Sequence, residues 1–280
     1  MIIYSKAGTI QVYLQEERKK GRSVGFVPTM GALHRGHIGL LHKAKEENDI
    51  SVCSIFVNPT QFNDPKDFRK YPHTIEKDIY RLEKAGCDIL FLPPVSEIYP
   101  VGLKRNIQYD LGALESVLEG KYRPGHFQGV CQVVHRLLEI IQPSSLYLGQ
   151  KDFQQCMVLK KLVELIKMDT QIIVCPTQRE TDGLAMSSRN LLLTAPERKK
   201  AVLISQTLSF IKEEVNTGYV GDIKERAKQY LKQEGFKVDY VEIADTITLA
   251  PVESWNGDTK LIALIAAYLN EVRLIDNMIL

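Results

Sequence analysis

Val24-Gly25-Phe26-Val27-Pro28-Thr29-Met30-Gly31-Ala32-Leu33-His34-Arg35-Gly36-His37-Ile38 changes character twice. The apolar opening predicts a strand. Gly31 predicts a turn where the backbone can come close to a ligand. From Gly36 onward Ile38, Leu40, Leu41 and Ala44 recur at helical spacing, which predicts an amphipathic helix reaching Glu47. A helix start offers free N–H groups and the positive end of the macrodipole, so it suits a phosphate. His34 and His37 stand at that start. Imidazoles there can donate to phosphate oxygens and stabilise charge building on a departing pyrophosphate.

Outward from this stretch, residues 1–175 alternate strand-like and helix-like patterns. Apolar runs at 23–27, 50–57, 88–92, 145–148 and 171–175 read as strands. The stretches 36–47, 74–85, 126–141 and 152–167 read as helices. Such alternation predicts a parallel sheet covered on both faces, with ligands gathered beyond the carboxyl ends of the strands. After residue 176 the texture changes. A loop over 176–190 leads to a charged helix over 195–214 and another over 222–233. Strand-like runs follow at 238–243, 261–267 and 272–275. The fold class expected is therefore α/β, with a Rossmann-like parallel-sheet domain over 1–175 and a smaller α+β domain over 176–280.

Composition excludes several classes. The 280 residues suffice for one large or two modest domains. The net charge of +2 gives no electrostatic case for nucleic acid or a membrane surface. The longest apolar run, at 261–269, is too short to cross a bilayer. No basic segment followed by an apolar run opens the sequence, which predicts a cytoplasmic protein. Cys53, Cys87, Cys131, Cys156 and Cys175 are scattered through apolar segments without a C-x-x-C pair. They predict buried free thiols, not a metal site or a disulfide frame.

Four further segments carry chemistry. In Asn58-Pro59-Thr60-Gln61-Phe62, Pro59 biases Asn58 to extended geometry. Gln61 carries donor and acceptor for a hydroxyl and a carboxylate, and Phe62 can wall an apolar pocket. In Gly149-Gln150-Lys151-Asp152-Phe153-Gln154-Gln155, Lys151 stands where a helix begins and can hold phosphate as a point charge. Asp152 suits either a helix cap or a ribose hydroxyl. Met186-Ser187-Ser188-Arg189 combines hydroxyls with a guanidinium, a set suited to gripping a triphosphate. Arg123-Pro124-Gly125-His126 places two basic groups before an apolar helix, where they can approach anionic substrates. On that helix Val133 and Val134 read first as core.

Together these segments resemble the pantoate–β-alanine ligase family of the nucleotidylyl transferase superfamily. The resemblance rests on PTMGALHRGH at 28–37, FVNPTQF at 56–62, RPGHFQGV at 123–130, GQKDFQQ at 149–155 and DGLAMSSRN at 182–190, in that order. The ending Arg273-Leu274-Ile275-Asp276-Asn277 also looks familial. The resemblance implies a two-step reaction: ATP and pantoate give pantoyl adenylate and pyrophosphate, then β-alanine displaces AMP. It implies magnesium with the ATP, and a homodimer. It makes 1–175 the nucleotide- and pantoate-binding domain and 176–280 a lid.

The same resemblance assigns residues. His34, His37 and Lys151 would be catalytic, with His37 the proton donor. Met30, Gly31, Ala32, Leu33, His34, Arg35, Gly36 and His37 would form one ATP segment. Gly149, Gln150, Lys151 and Asp152 would form a second, and Met186, Ser187, Ser188 and Arg189 a third. Gln178, where the family usually has Val or Ile, would meet adenine through its backbone. Gln61 and Gln155 would hold pantoate, and Gln61 also β-alanine. Pantoate's gem-dimethyl group would need an apolar niche, and the apolar side chains of Pro28, Met30, Phe62, Val133 and Val134 are the lining expected for it from their character, not from the resemblance. No metal-ligand set is specified; Asp78 is a weak candidate for magnesium.

Three rivals stay open at this point: a nucleotidylyl transferase acting on a phosphate ester, an ATP-binding regulator without catalysis, and a class I synthetase, against which the lack of an anticodon domain or basic face weighs. The first would share the histidines but would not need FVNPTQF and KDFQQ together. The retained His34, His37, Lys151, Ser187 and Arg189 weigh against the second.

Overall fold

The computed structural model describes residues 1–63, 65–103 and 107–280. They fall into two compact units. The first comprises Met1–Gly149 and Gln154–Pro176, the second Gln150–Phe153 and Thr177–Leu280. None of the described helices is long and apolar enough to cross a membrane.

The first unit runs β1 (Ile2–Tyr4), α1 (Ala7–Lys19), β2 (Val24–Thr29), α2 (Arg35–Glu47), β3 (Ile50–Ile55), α3 (Pro65–Lys70) and α4 (Ile75–Lys84). It continues through β4 (Ile89–Phe91), α5 (Val95–Ile98), α6 (Leu118–Tyr122), α7 (His126–Ile141), β5 (Ser145–Gly149), α8 (Phe153–Leu165) and β6 (Gln171–Cys175). The strands form one parallel sheet in the order β1-β4-β3-β2-β5-β6. Strand alternation divides its core into two layers. Phe26, Val52, Ile89, Phe91, Leu146 and Leu148 pack with Ile10 and Leu14 of α1 and the apolar face of α7. Val27, Cys53, Leu90 and Tyr147 point the other way, onto Leu41 and Ala44 of α2 and Leu82 of α4. Burying each such Leu, Ile or Phe contributes about 1.5–3 kcal/mol. From β2 the chain adds β3 and β4 on one side and later β5 and β6 on the other, all parallel, and such a switch point opens a crevice at the carboxyl ends of the strands. The end of β2 and the start of α2 lie there.

The second unit contains α9 (Ala195–Lys200), α10 (Leu203–Glu214), β7 (Gly218–Tyr219), α11 (Gly221–Gln233), β8 (Lys237–Asp245), β9 (Ser254–Trp255), β10 (Leu261–Leu269) and β11 (Val272–Ile279). Strands β8, β10 and β11 make an antiparallel sheet in the order β11-β10-β8. Leu208 and Ile211 of α10 and Ala227 and Leu231 of α11 share a core with Ile243, Ala263 and Ile265 of that sheet.

The expected α/β sheet and smaller α+β region are both present. Two expectations are corrected. The single helix expected over 195–214 is two, α9 and α10. Ala201 and Val202 keep near-helical angles (φ −57°, ψ −23° and φ −60°, ψ −25°), but an i→i+3 bond from Ile204 N–H to Ala201 O tightens the turn. The apolar period therefore runs through the break undisturbed. Pro28 and Thr29, expected to follow the strand, end it instead, paired with Ser54 and Ile55 of β3. Of the five cysteines, Cys53, Cys87, Cys131 and Cys156 are buried and Cys175 is half-buried.

Candidate active site

The loop from β2 into α2 is held open by its own backbone geometry. Gly31 has φ +83° and Ala32 φ +48°. A Cβ on Gly31 would lie 3.1 Å from Ile55 Cγ2 and 3.2 Å from Asp78 Oδ2. The carboxylate of Asp78, fully buried, accepts the N–H groups of Ala32 and Leu33, each at 2.8 Å, and the Thr74 hydroxyl at 3.1 Å. Arg81 donates to the Leu33 carbonyl from the same helix. Asp78 is therefore a clamp on the loop, and its oxygens are committed to it. Any role as a magnesium ligand would compete with this clamp. Among the described residues no group of three or more His, Cys, Asp or Glu side chains could hold a metal ion.

His34 and His37 cap α2 reciprocally. His34 Nδ1 accepts the Gly36 N–H at 3.2 Å, and His37 Nδ1 accepts the His34 N–H at 3.3 Å. The rings lie 4.0 Å apart, tilted by 37°. Accepting through Nδ1 leaves a neutral imidazole with its proton on Nε2, the tautomer suited to donating to a phosphate oxygen. Met30, Gly36 and both histidines are partly exposed, Arg35 is exposed, and Gly31, Ala32 and Leu33 are buried. The side chains of this segment that can meet a ligand are thus those of Met30, His34, Arg35 and His37.

Beyond β3, residues 59–61 form a single 3₁₀ turn capped by Asn58, whose φ −80° and ψ 113° are the extended geometry expected before proline. Buried Asn58 organises the turn. Its Nδ2 donates to Gln61 Oε1 and to Gly129 O, both at 3.1 Å, and its Oδ1 accepts the Tyr99 hydroxyl at 2.7 Å. Gln61 Nε2 donates to the thioether of Met30 at 2.9 Å. The structure thus joins two of the segments assigned separately from sequence. Phe62 packs edge-on against Phe68 and Tyr71. Val133 and Val134 lie in the core layer with α1.

Arg123 and His126, expected near anionic substrates, instead support Gln61. The Arg123 guanidinium donates to His126 Nε2 at 3.0 Å, and His126 Nδ1 donates to the Gln61 carbonyl at 2.8 Å. Gln155 on α8 is partly buried. Its neighbour Gln154 is structural: Oε1 accepts the Glu119 N–H, and Nε2 donates to the Leu114 and Val117 carbonyls.

In the second unit, Gln150–Asp152 form a 3₁₀ turn. The Lys151 side chain is 16% exposed, with Nζ 3.6 Å from Asp152 Oδ1. Residues 178–186 form a small hairpin, with Arg179 paired to Ala185 and the Met186 N–H on the Gln178 carbonyl at 2.9 Å. It leads into Ser187, whose hydroxyl accepts the Arg189 N–H at 3.3 Å. Met186 and Ser188 are buried; Ser187 and Arg189 are partly exposed. The Arg179 guanidinium meets Asp276 in a bidentate pair at 2.6 and 3.0 Å. Burial pushes the Asp276 carboxyl above the usual carboxylate range, and Arg179 pulls against that shift.

A family model described as pantoate-beta-alanine ligase matches residues 2–279. The chain belongs to the pantoate–β-alanine ligase family. Among its relatives, a pantothenate synthetase of Cytophaga hutchinsonii is 47% identical over 283 residues, covering 100% of this chain and 99% of that one. One from Fervidobacterium nodosum is 46% identical, covering 95% and 94%. The crystal structure of pantothenate synthetase from Thermus thermophilus superposes with a TM-score of 0.90 at 38% identity over 99% of each chain. The pantoate-beta-alanine ligase of Francisella tularensis, complexed with beta-gamma ATP and beta-alanine, gives 0.85 at 40% identity, covering 100% and 97%. The chain is accordingly an enzyme, a ligase forming pantothenate with ATP.

Sequence reading of this ligase missed Asn58, Tyr99 and Asp78 as organisers of the site. Asn58 had a local signal, since Asn before Pro opens a capped turn. Tyr99 and Asp78 act over 41 and 45 or more residues of chain, a distance no local pattern reports.

Proposed function

We propose that this ligase joins pantoate to β-alanine through pantoyl adenylate, with the histidine-capped start of α2 meeting the ATP phosphates. A carboxylate oxygen of pantoate attacks the α-phosphorus, and the bond to pyrophosphate breaks. The neutral amine of β-alanine then attacks the acyl carbon, the bond to AMP breaks, and the amine loses a proton. No protein nucleophile is needed. The work lies in positioning and in charge stabilisation at the α-phosphate and leaving group.

The observation that carries this reading is the bond of Gln61 to Met30, on the same β2–α2 loop that ends in the two capping histidines, at the switch point of the sheet. There the carboxamide of Gln61 serves pantoate and β-alanine, and His34 and His37 serve the phosphates, with His37 as proton donor. Gln155 is the second pantoate residue. Gly149, Gln150, Lys151 and Asp152 form a second ATP segment, with Lys151 on phosphate and Asp152 near the ribose; Gln178 meets the adenine through its backbone, and Met186, Ser187, Ser188 and Arg189 grip the triphosphate. Magnesium enters as the ATP complex, held by the nucleotide's own phosphates. The functional enzyme is a cytoplasmic homodimer, with residues 1–175 as the substrate domain and 176–280 as its lid.

The test is ATP–pyrophosphate exchange. Exchange that requires pantoate, followed by pantothenate release on adding β-alanine, is expected. Exchange indifferent to pantoate would overturn the assignment, and sedimentation checks the dimer.

A further inference from the structure

We infer that Asn277 is a positioning residue for adenylation, fixing through the backbone where Lys151 stands. The inference rests on Lys151 being a phosphate ligand. Asn277 lies on β11 opposite Leu264 of β10 and is 2% exposed. Its carboxamide spends both N–H groups on consecutive peptide carbonyls, Gln150 O at 2.9 Å and Lys151 O at 2.8 Å. Its Oδ1 accepts Gln150 Nε2 at 3.2 Å. Its own backbone is held too: the N–H donates to Asp276 Oδ1 at 2.8 Å, and the carbonyl accepts Arg179 Nη2 at 3.2 Å.

Why this matters follows from the turn it grips. Three residues of 3₁₀ helix have little stability of their own, so the position of 150–152 is set by what their carbonyls bind. Lysine is a point charge on a flexible stem. Where its ammonium can reach is decided by where its Cα is fixed. Asn277 fixes it from a rigid strand, with every polar group of the residue engaged. The preceding residue, Asp276, does the same for the hairpin before Ser187: Arg179 Nη1, paired to Asp276, also donates to the Gly183 carbonyl at 3.1 Å. Adjacent residues of one strand thus hold both of this unit's assigned nucleotide segments.

The test uses the full chain, well below each variant's unfolding temperature. Asn277→Asp keeps the shape but turns an acceptor toward two carbonyl oxygens; Asn277→Ser keeps one donor. Gln150→Ala, which removes a bond to Asn277 Oδ1, stands in should Asn277→Asp fail to fold. Pantoate-dependent exchange is measured against ATP concentration for each, for Lys151→Ala, and for Asn277→Ser with Lys151→Ala. The Asn277 variants are expected to lose ~10²-fold in kcat/KM for ATP, as misplaced groups do, with pantoate affinity unchanged by titration. The double variant should be no slower than Lys151→Ala alone. Losses that multiply, or variants that lower only the unfolding temperature, would overturn the inference. Unchanged exchange in Lys151→Ala would overturn the reading of Lys151 itself, a separate and distinguishable result.

Discussion

A Cβ built on Gly129 would stand 2.4 Å from the carbonyl oxygen of Thr60 and 2.8 Å from the Gln61 Cα. Helix α7 and the 59–61 turn touch backbone to backbone, and the carbonyl of Gly129 receives the Asn58 amide. Gly129→Ala must therefore move the turn that carries Gln61. Overpacking of this kind costs about 1–3 kcal/mol. The expected result is a lower unfolding temperature together with weaker pantoate binding by calorimetry; unaltered pantoate affinity would separate the packing from the site.

His37→Ala removes the acceptor of the His34 N–H and, on the proposed reading, a phosphate partner. Pantoate-dependent exchange should fall by ~10²–10³ or more, while circular dichroism shows the fold retained. Near-normal exchange would take His37 out of the mechanism.

Asp78→Asn replaces one carboxylate oxygen by an amide facing the N–H of Ala32 or Leu33. Leaving a buried donor unsatisfied costs about 1–3 kcal/mol. Exchange should weaken with no change in the magnesium concentration giving half-maximal rate. A marked rise in that concentration would return Asp78 to the metal.

Asp88 supplies a pH signature. Burial raises its carboxyl pKa, but the Ser51 hydroxyl at 2.6 Å, the Ser51 N–H at 2.9 Å and the Lys45 ammonium at 3.5 Å outweigh it, and the net direction is down. A depressed folded-state value gives stability that is present above the unfolded value of about 3.9 and is lost as pH falls through the folded one. In denaturant titrations the advantage of wild type over Asp88→Asn should hold from neutral pH down to about 5 and shrink below about 4. An advantage that does not vary with pH would refute the linkage.

The sequence made β6 and α7 legible to the residue, because an apolar run between turn residues and a strong helical period each stand out. It concealed β1 and α1. In β1, Ile2 and Ile3 are about half exposed on a sheet edge, so no buried pattern marks them. In α1 the Lys6 cap has no side-chain bond and no acidic residue occupies the first turn. The residues nominated for ligand contact drew attention because their types suit phosphate and carboxylate chemistry and their motifs resemble the family's. Their supports did not. His126 under Gln61 and Asn277 under Lys151 act across 65 and 126 residues of chain, and only tertiary packing relates them.

The choice of histidine to close α2 has an electrostatic consequence. Helix starts are usually sealed by Ser, Thr, Asp or Asn, and α2 has no acidic residue in its first turn. Aspartate at position 34 would satisfy the same N–H group while planting a fixed anion at the positive end of the helix. Rings that accept through Nδ1 secure the turn and add no carboxylate, so the helix macrodipole keeps its full attraction for an anion at this end.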